Sequence, residues 1–387
     1  MKQGWEIKTI GDVCKVIAGQ SPEGKYYNSD GNGIPFYQGK KEYCEKYIGE
    51  PTIWTTVTTK EAEANDILMS VRAPVGPINF ATQKICIGRG LAAIRASKFI
   101  DIEFLFNFLL KHESEIVGNS GAVFNSINKA QIEAIEIPLP PLREQQRIVA
   151  ILDEALAAIA KAKANAQQNL QNSKELFESY LQGVFENGNW EESTLGEVCE
   201  FTQGIQRDVK FQSELQGEKQ VRFLRIVDFT QGNEPPRYID NPGDKYILNT
   251  EDISLVRYGA STGFVCRGLE GALANNLFRV IPKSLQEVSN DFLFVFLNSS
   301  VFQDVIKESM NGAAMPAISF GMIKEIPFPI ISLKEQQTIV EKLNALYSET
   351  KKLIAIYQQK INNLEELKKS VLQKAFSGEL KLSTATV

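Results

Sequence analysis

A single histidine, His112, is the first residue to weigh for chemistry, and at the end of an apolar stretch it supplies neither a His pair nor a His-x-Glu zinc signature. It reads as a surface or helix-end residue. No Gly-x-x-x-x-Gly-Lys-Ser/Thr loop is present to cradle a nucleotide phosphate, and no Gly-rich cofactor turn follows a strand. Asn233-Glu234-Pro235-Pro236-Arg237-Tyr238 superficially matches the Asn-Pro-Pro-aromatic stretch of amino-methyltransferases, but Glu234 interrupts it and Arg237 displaces the aromatic, leaving a turn. Asp12 with Glu23-Gly24-Lys25 has the residue types of a metal-nuclease set, yet Gly19-Gln20-Ser21-Pro22 between them reads as a loop. Five cysteines, Cys14, Cys44, Cys86, Cys199 and Cys266, are odd in number and never form Cys-x-x-Cys, so buried thiols are expected rather than disulfides or zinc. The expectation is a chain with no catalytic residues, no metal and no cofactor.

The elements that carry these residues are organised by a duplication. Trp5-Glu6-Ile7-Lys8-Thr9-Ile10-Gly11-Asp12-Val13-Cys14 returns as Trp190-Glu191-Glu192-Ser193-Thr194-Leu195-Gly196-Glu197-Val198-Cys199, an offset of 185 residues that Gly19 and Gly204, and Val71-Arg72 and Val256-Arg257, also keep. Leu142-Arg143-Glu144-Gln145-Gln146 returns as Leu333-Lys334-Glu335-Gln336-Gln337 at an offset of 191, which holds to Phe185 and Phe376. Copies of this length indicate a duplicated two-part unit rather than a solenoid. Each front half mixes short β-rich runs, such as Ile85-Cys86-Ile87 and Phe223 to Val227, with helical stretches from Ile102 and from Asp291.

Each back half is one long helix. No proline lies between Pro141 and Pro235, and the segment from Leu142 to Phe185 is rich in Ala, Leu, Gln, Glu and Lys. Leu152, Ile159, Ala166, Ser173 and Tyr180 recur every seventh residue, as do Leu343, Thr350, Tyr357, Leu364 and Val371. About 44 residues at ~1.5 Å each make a rod of roughly 66 Å whose narrow seam needs a partner, which the other copy offers. The predicted architecture is α+β: globular domains at 1–141 and 186–332, long helices at 142–185 and 333–379, and a tail at 380–387.

Composition alone points elsewhere. The 43% hydrophobic and 23% charged content fits two or three folded domains, but the net charge of −5 argues against nucleic acid unless cations gather on one face. No run of ~18 apolar residues and no apolar start suggests a membrane or secreted protein, so a cytoplasmic chain is expected.

The repeated blocks carry a resemblance. Pro138-Leu139-Pro140-Pro141-Leu142-Arg143-Glu144-Gln145-Gln146 resembles the proline-to-helix junction of type I restriction-modification DNA specificity subunits, and Ile326 to Gln337 is its second copy, degraded at the prolines. The domain openings at Trp5 and Trp190, with Gly33-Ile34-Pro35-Phe36 and Asp66 to Arg72, are similar to this family as well. The resemblance implies two target recognition domains reading the halves of a split, asymmetric DNA sequence. It implies antiparallel pairing of the helices, which act as spacer and as docking site. Double-stranded DNA and two methyltransferase subunits are the implied partners, with restriction subunits as further members.

Base reading needs Arg or Lys for guanine and Asn or Gln for adenine, beside cations for phosphate. Lys25, Tyr26, Tyr27, Gln38, Lys40 and Lys41 in the first front half, and Arg207, Lys210, Arg222 and Arg225 in the second, meet that need on loops. Solvated surface is the competing reading for each. Arg72 and Arg257, taken as one repeat position, suit a shared structural or phosphate role. Glu144, Gln145, Gln146, Glu335, Gln336 and Gln337 suit helix capping or a shared docking contact. A coiled-coil scaffold without DNA, or an enzyme with a degenerate site, are the rival classes.

Overall fold

The computed structural model describes residues 4–118, 126–188, 190–310 and 317–380; the first three residues and the tail beyond 380 lie outside it. Two compact units emerge, Met1–Gln167 with Gln359–Val387, and Gln168–Gln358, so the division falls inside both long helices.

Each front half is built on the same frame. The opening strand, Glu6–Thr9 or Glu191–Thr194, pairs antiparallel with the strand just before the long helix, Glu136–Leu139 or Pro327–Ile330. A one-turn helix follows, closed by reciprocal caps between Thr9 and Asp12 and between Thr194 and Glu197. A four-stranded sheet then forms, in the order Cys14–Ala18, Leu91–Ala96, Ile67–Ser70, Ile78–Phe80 in the first copy. Its counterpart is Cys199–Gln203, Leu277–Pro282, Ile253–Val256, Val265–Cys266. Buried Asp66 takes the Arg95 guanidinium at 2.7 Å, and Asp252 takes Arg279 at the same distance, which ties a loop to the sheet in each copy.

A second sheet differs between the copies. It has five strands in the first, where Tyr27–Asn28, Trp54–Thr55 and Ile34–Tyr37 run in succession, and four in the second, where Gln220–Leu224 pairs with Arg237–Asp240. The β-rich run expected from Phe223 to Val227 ends at Leu224; Arg225 N–H donates to Asp228 Oδ2 at 2.8 Å and a helical turn, Ile226–Thr230, takes over.

The long helices span Leu142–Glu186 and Leu333–Ser377. Within the first unit, Ile148 and Leu152 share a core with Leu372, Ala375 and Phe376, while Lys163 pairs with Glu365. Within the second, Phe177 meets Tyr347 edge-on at 5.5 Å, and Phe185 packs on the core that holds Val340. In both units the helices therefore run antiparallel.

The seam drifts from the seven-residue spacing. Leu152, Ile159, Ala166 and Ser173 are buried as expected, but Tyr180 is exposed and Leu181 is buried in its place. In the second helix Leu343 and Thr350 are buried, and Leu372 replaces Val371. Both helices bring the same face round after 29 residues, Leu152 to Leu181 and Leu343 to Leu372, because 3.6 residues per turn outruns a 3.5-residue repeat by about 20° per heptad.

Candidate nucleic-acid interface

Three segments cross in each front half, close enough to demand glycine. A Cβ at Gly19 would lie 2.2 Å from the Gly88 carbonyl oxygen, and one at Gly204 would lie 2.2 Å from that of Ala274. Gln20 N–H donates to Ile87 O at 2.9 Å and Gly88 N–H to Tyr37 O at 2.8 Å. Their counterparts are Ile205 to Leu273 O at 2.8 Å and Ala274 to Leu224 O at 3.0 Å. This backbone frame brings Ser21, Gln38 and Arg89 together in the first copy. Ser21 Oγ donates to Gln38 Oε1 at 2.9 Å and accepts from Arg89 N–H at 3.3 Å. In the second copy the same frame carries Gln206, Arg225 and Asn275.

Arg89 was missed in the sequence, although Gly88 and Gly90 bracket it at a turn; it is exposed and makes no ion pair among the described residues. Arg72, Arg89 and Lys129 line a cleft of about 210 Å³ beside Gly19. Tyr27 stacks on Phe36 at 4.7 Å and donates to Pro22 O at 2.8 Å; burial pushes its phenol above the usual range while the Arg89 charge pulls it down. Gln38, Lys40 and Lys41 are exposed.

One motif is duplicated outside the frame. Lys25 Nζ lies 5.0 Å from the centre of the Tyr26 ring and Lys210 Nζ lies 4.9 Å from that of Phe211, each on a one-turn 3-10 helix. Lys25 also reaches Glu23 at 2.7 Å, and Lys210 reaches Asp208 at 3.9 Å. Phe211 is 60% exposed and Arg207 is exposed beside it.

Several expected readers are engaged within the chain. Arg225 donates to Asp228, to Glu234 at 3.0 Å and to the Pro235 carbonyl at 3.0 Å, and only 19% of its side chain is exposed. Arg222 reaches the same Asp228 at 3.3 Å. Arg225 is corrected to a structural role, because a guanidinium held on two carboxylates and a carbonyl has no free fork for a base, whereas Arg222 gives one nitrogen to Asp228 and keeps 34% of its side chain exposed.

Arg72 and Arg257 do not share a position. The sheet register sets Leu91 opposite Ser70 and Leu277 opposite Val256, so Arg72 corresponds to Tyr258 and Arg257 to Val71. The isolated bridges Arg72 to Ser126 and Tyr258 to Ala317 agree. Arg257 donates to Ile318 O at 3.2 Å and covers the Phe320 ring at 5.8 Å.

At the helix junctions the repeated glutamines divide by burial. Gln145 Oε1 accepts from Asp101 N–H at 2.7 Å, and its amide donates to Phe99 O at 3.2 Å and Pro140 O at 2.8 Å. Gln336 repeats the pattern with Ser289 N–H at 2.9 Å, Glu287 O at 2.6 Å and Ile331 O at 3.1 Å. Both are fully buried, which corrects their assignment to docking: they fasten each helix to the domain before it. Glu335 closes a capping box with Ser332, whose hydrogen bonds hold its carboxyl below the ordinary range. Glu144 stands in the first turn of its helix, 3.3 Å from Arg147, and Gln146 and Gln337 are exposed. Gln145→Ala should leave three buried backbone groups unpaired and cost about 3 kcal/mol in denaturant unfolding, whereas Gln146→Ala should change stability by less than about 0.5 kcal/mol.

Three of the five thiols, Cys86, Cys199 and Cys266, are buried and Cys44 is exposed; all five are free, and burial pushes Cys14, Cys199 and Cys266 up to about 12. Among the described residues no group of three or more His, Cys, Asp or Glu side chains is placed to hold a metal, and no helix is long and apolar enough to cross a membrane.

Comparison with known proteins gives a consistent set of likenesses. The family model "Type I restriction modification DNA specificity domain" matches twice, at residues 2–170 and 187–366. A putative type I restriction enzyme specificity subunit, MjaX, from Methanocaldococcus jannaschii is 41% identical over 177 residues, 44% of this chain and 41% of that one. The MjaVIII specificity subunit of the same organism is 23% identical over 98% of this chain and 94% of its own length. Among solved structures, a chain from a study of type I restriction-modification complex assembly superposes with a TM-score of 0.79 at 19% identity, covering 98% of this chain and 99% of that one. The HsdS subunit from Thermoanaerobacter tengcongensis gives 0.64 at 19% identity, with 98% of each chain covered.

Proposed function

Since this chain belongs to the type I restriction-modification DNA specificity family, we propose that it is the DNA-reading, non-catalytic subunit of such a complex. Each front half reads one half of a split, asymmetric target. The long helices space the two readers and dock methyltransferase subunits, two per chain, and restriction subunits complete the assembly. The observation that carries this reading is one backbone frame presented twice with different side chains: Ser21, Gln38 and Arg89 in one copy, Gln206 and Asn275 in the other, where Arg225 at the place of Gln38 is held on Asp228 and Glu234. A reader of two unlike half-sites needs that combination, because backbone and phosphate contacts set position while divergent side chains select bases.

The net charge of −5 is compatible with this, since Arg72, Arg89 and Lys129 gather at one cleft whose lining holds no carboxylate, the Glu133 partner of Lys129 standing outside it. Of the junction residues, Glu144, Gln146 and Gln337 remain candidates for partner docking. The purified chain, incubated with duplex DNA and labelled S-adenosylmethionine, should transfer no methyl group, and transfer should appear on adding its methyltransferase subunits. Methyl transfer by the chain alone would favour the enzyme class. A complex that methylated DNA equally well without this chain would favour the scaffold.

A further inference from the structure

We propose that Arg89 reads a guanine in one half-site and that Asn275, with Gln206, reads an adenine in the other. The inference rests on the DNA-reading function proposed above and assigns its base-selecting residues.

The two residues occupy one place in the duplicated frame. Leu91 and Leu277 begin equivalent strands opposite Ser70 and Val256, so the residues two before them, Arg89 and Asn275, correspond. Both stand on the tight crossing at Gly19 or Gly204, whose backbone hydrogen bonds fix where the side chain starts. A rigid origin is what base discrimination requires, because a displaced donor loses its pattern of partners.

Their chemistry differs in the way base edges differ. Arg89 offers a fork of donors, matching the guanine O6 and N7 acceptors, and no carboxylate among the described residues engages it. Asn275 Nδ2 lies 3.5 Å from Gln206 Oε1, at the outer limit of a hydrogen bond, so two amides sit side by side. A carboxamide matches the N7 acceptor and N6 donor of adenine. The neighbours diverge too. The first copy sets Arg72 and Lys129 beside this place, where the second has Tyr258 and Phe320, with Arg257 lying over the Phe320 ring at 5.8 Å. The arginine that takes the place of Gln38 in the second copy, Arg225, is held on Asp228 and Glu234, which leaves the amides as the readers there.

The test uses the full chain assembled with its methyltransferase subunits, selecting from a library of randomised duplexes. Arg89→Gln should relax selection at one guanine position of a single half-site by roughly ten- to hundredfold, with the other half-site unchanged. Asn275→Ala should relax one adenine position of the opposite half-site only. Matching thermal melts of wild type and variants establish that the substitutions leave the fold intact. The inference is overturned if Arg89→Gln keeps the whole target, or weakens all sequences alike with a shallower salt dependence, as a phosphate contact would. If the wild-type complex selects no sequence, the DNA-reading function itself is wrong and this assignment falls with it.

Discussion

Replacing Phe376 with alanine should destabilise the first unit by about 4 kcal/mol, although this residue lies at the far end of the chain from the domain it supports. Its ring sits 5.1 Å from Phe104 and 5.4 Å from Phe108, edge-on to both, on a helix of the first front half. Phe185 does the same in the second unit, 5.8 Å from Phe292 and 5.4 Å from Phe296. Each domain is therefore gripped twice: by the buried glutamine at the start of the helix that follows it, and by the phenylalanine near the end of the other helix. Phe376 is 5% exposed and deleting its ring leaves a cavity among aromatic side chains that cannot collapse to fill it. For a unit of this size the loss amounts to roughly 10 °C in Tm. Hydrogen exchange should show the strand Leu91–Ala96 losing protection while Leu277–Pro282 keeps it. Phe185→Ala should reverse that pattern. Uniform loss in both strands from either variant would mean that the grip is not local to one unit.

The duplication, the α+β front halves and the helical back halves were legible because they rest on composition and on patterns that local chemistry obeys. Proline at the helix start and Ala, Leu and Glu within it are readable without tertiary structure. What escaped depended on contacts distant in sequence. Gln145 looks like a surface residue of a first helical turn, and only Asp101 and Phe99, more than forty residues earlier, make it a buried fastening. The equivalence of Arg72 and Arg257 failed through a one-residue difference between the copies after Gly19 and Gly204, and in a strand one residue is enough to change face. The Tyr180 seam position failed through helical drift rather than through any error in the element. Two misses had a local signal. Asp228 three residues after Arg225 marks an ion pair, and glycines on both sides of Arg89 mark a turn with an arginine at its tip.

Exchanging the front half, residues 1–141, for that of a related subunit should replace one half of the methylated target completely and leave the other half intact. The expectation follows from the frame: each copy carries its own sheets, its own buried Asp–Arg tie and its own crossing at Gly19 or Gly204. The exchange point must keep Gln145 with the Asp101 and Phe99 backbone groups of the donor domain, because those bonds involve main chain and tolerate a change of side chain.

Methylated sites mapped genome-wide, in cells holding the methyltransferase subunits with either the native chain or the chimera, test the central claim most directly. The native chain should direct methylation to a single split, asymmetric sequence. The chimera should direct it to a sequence sharing one half-site and the same gap. A target in which both half-sites change together, or in which neither does, would contradict two independent readers on one duplicated frame.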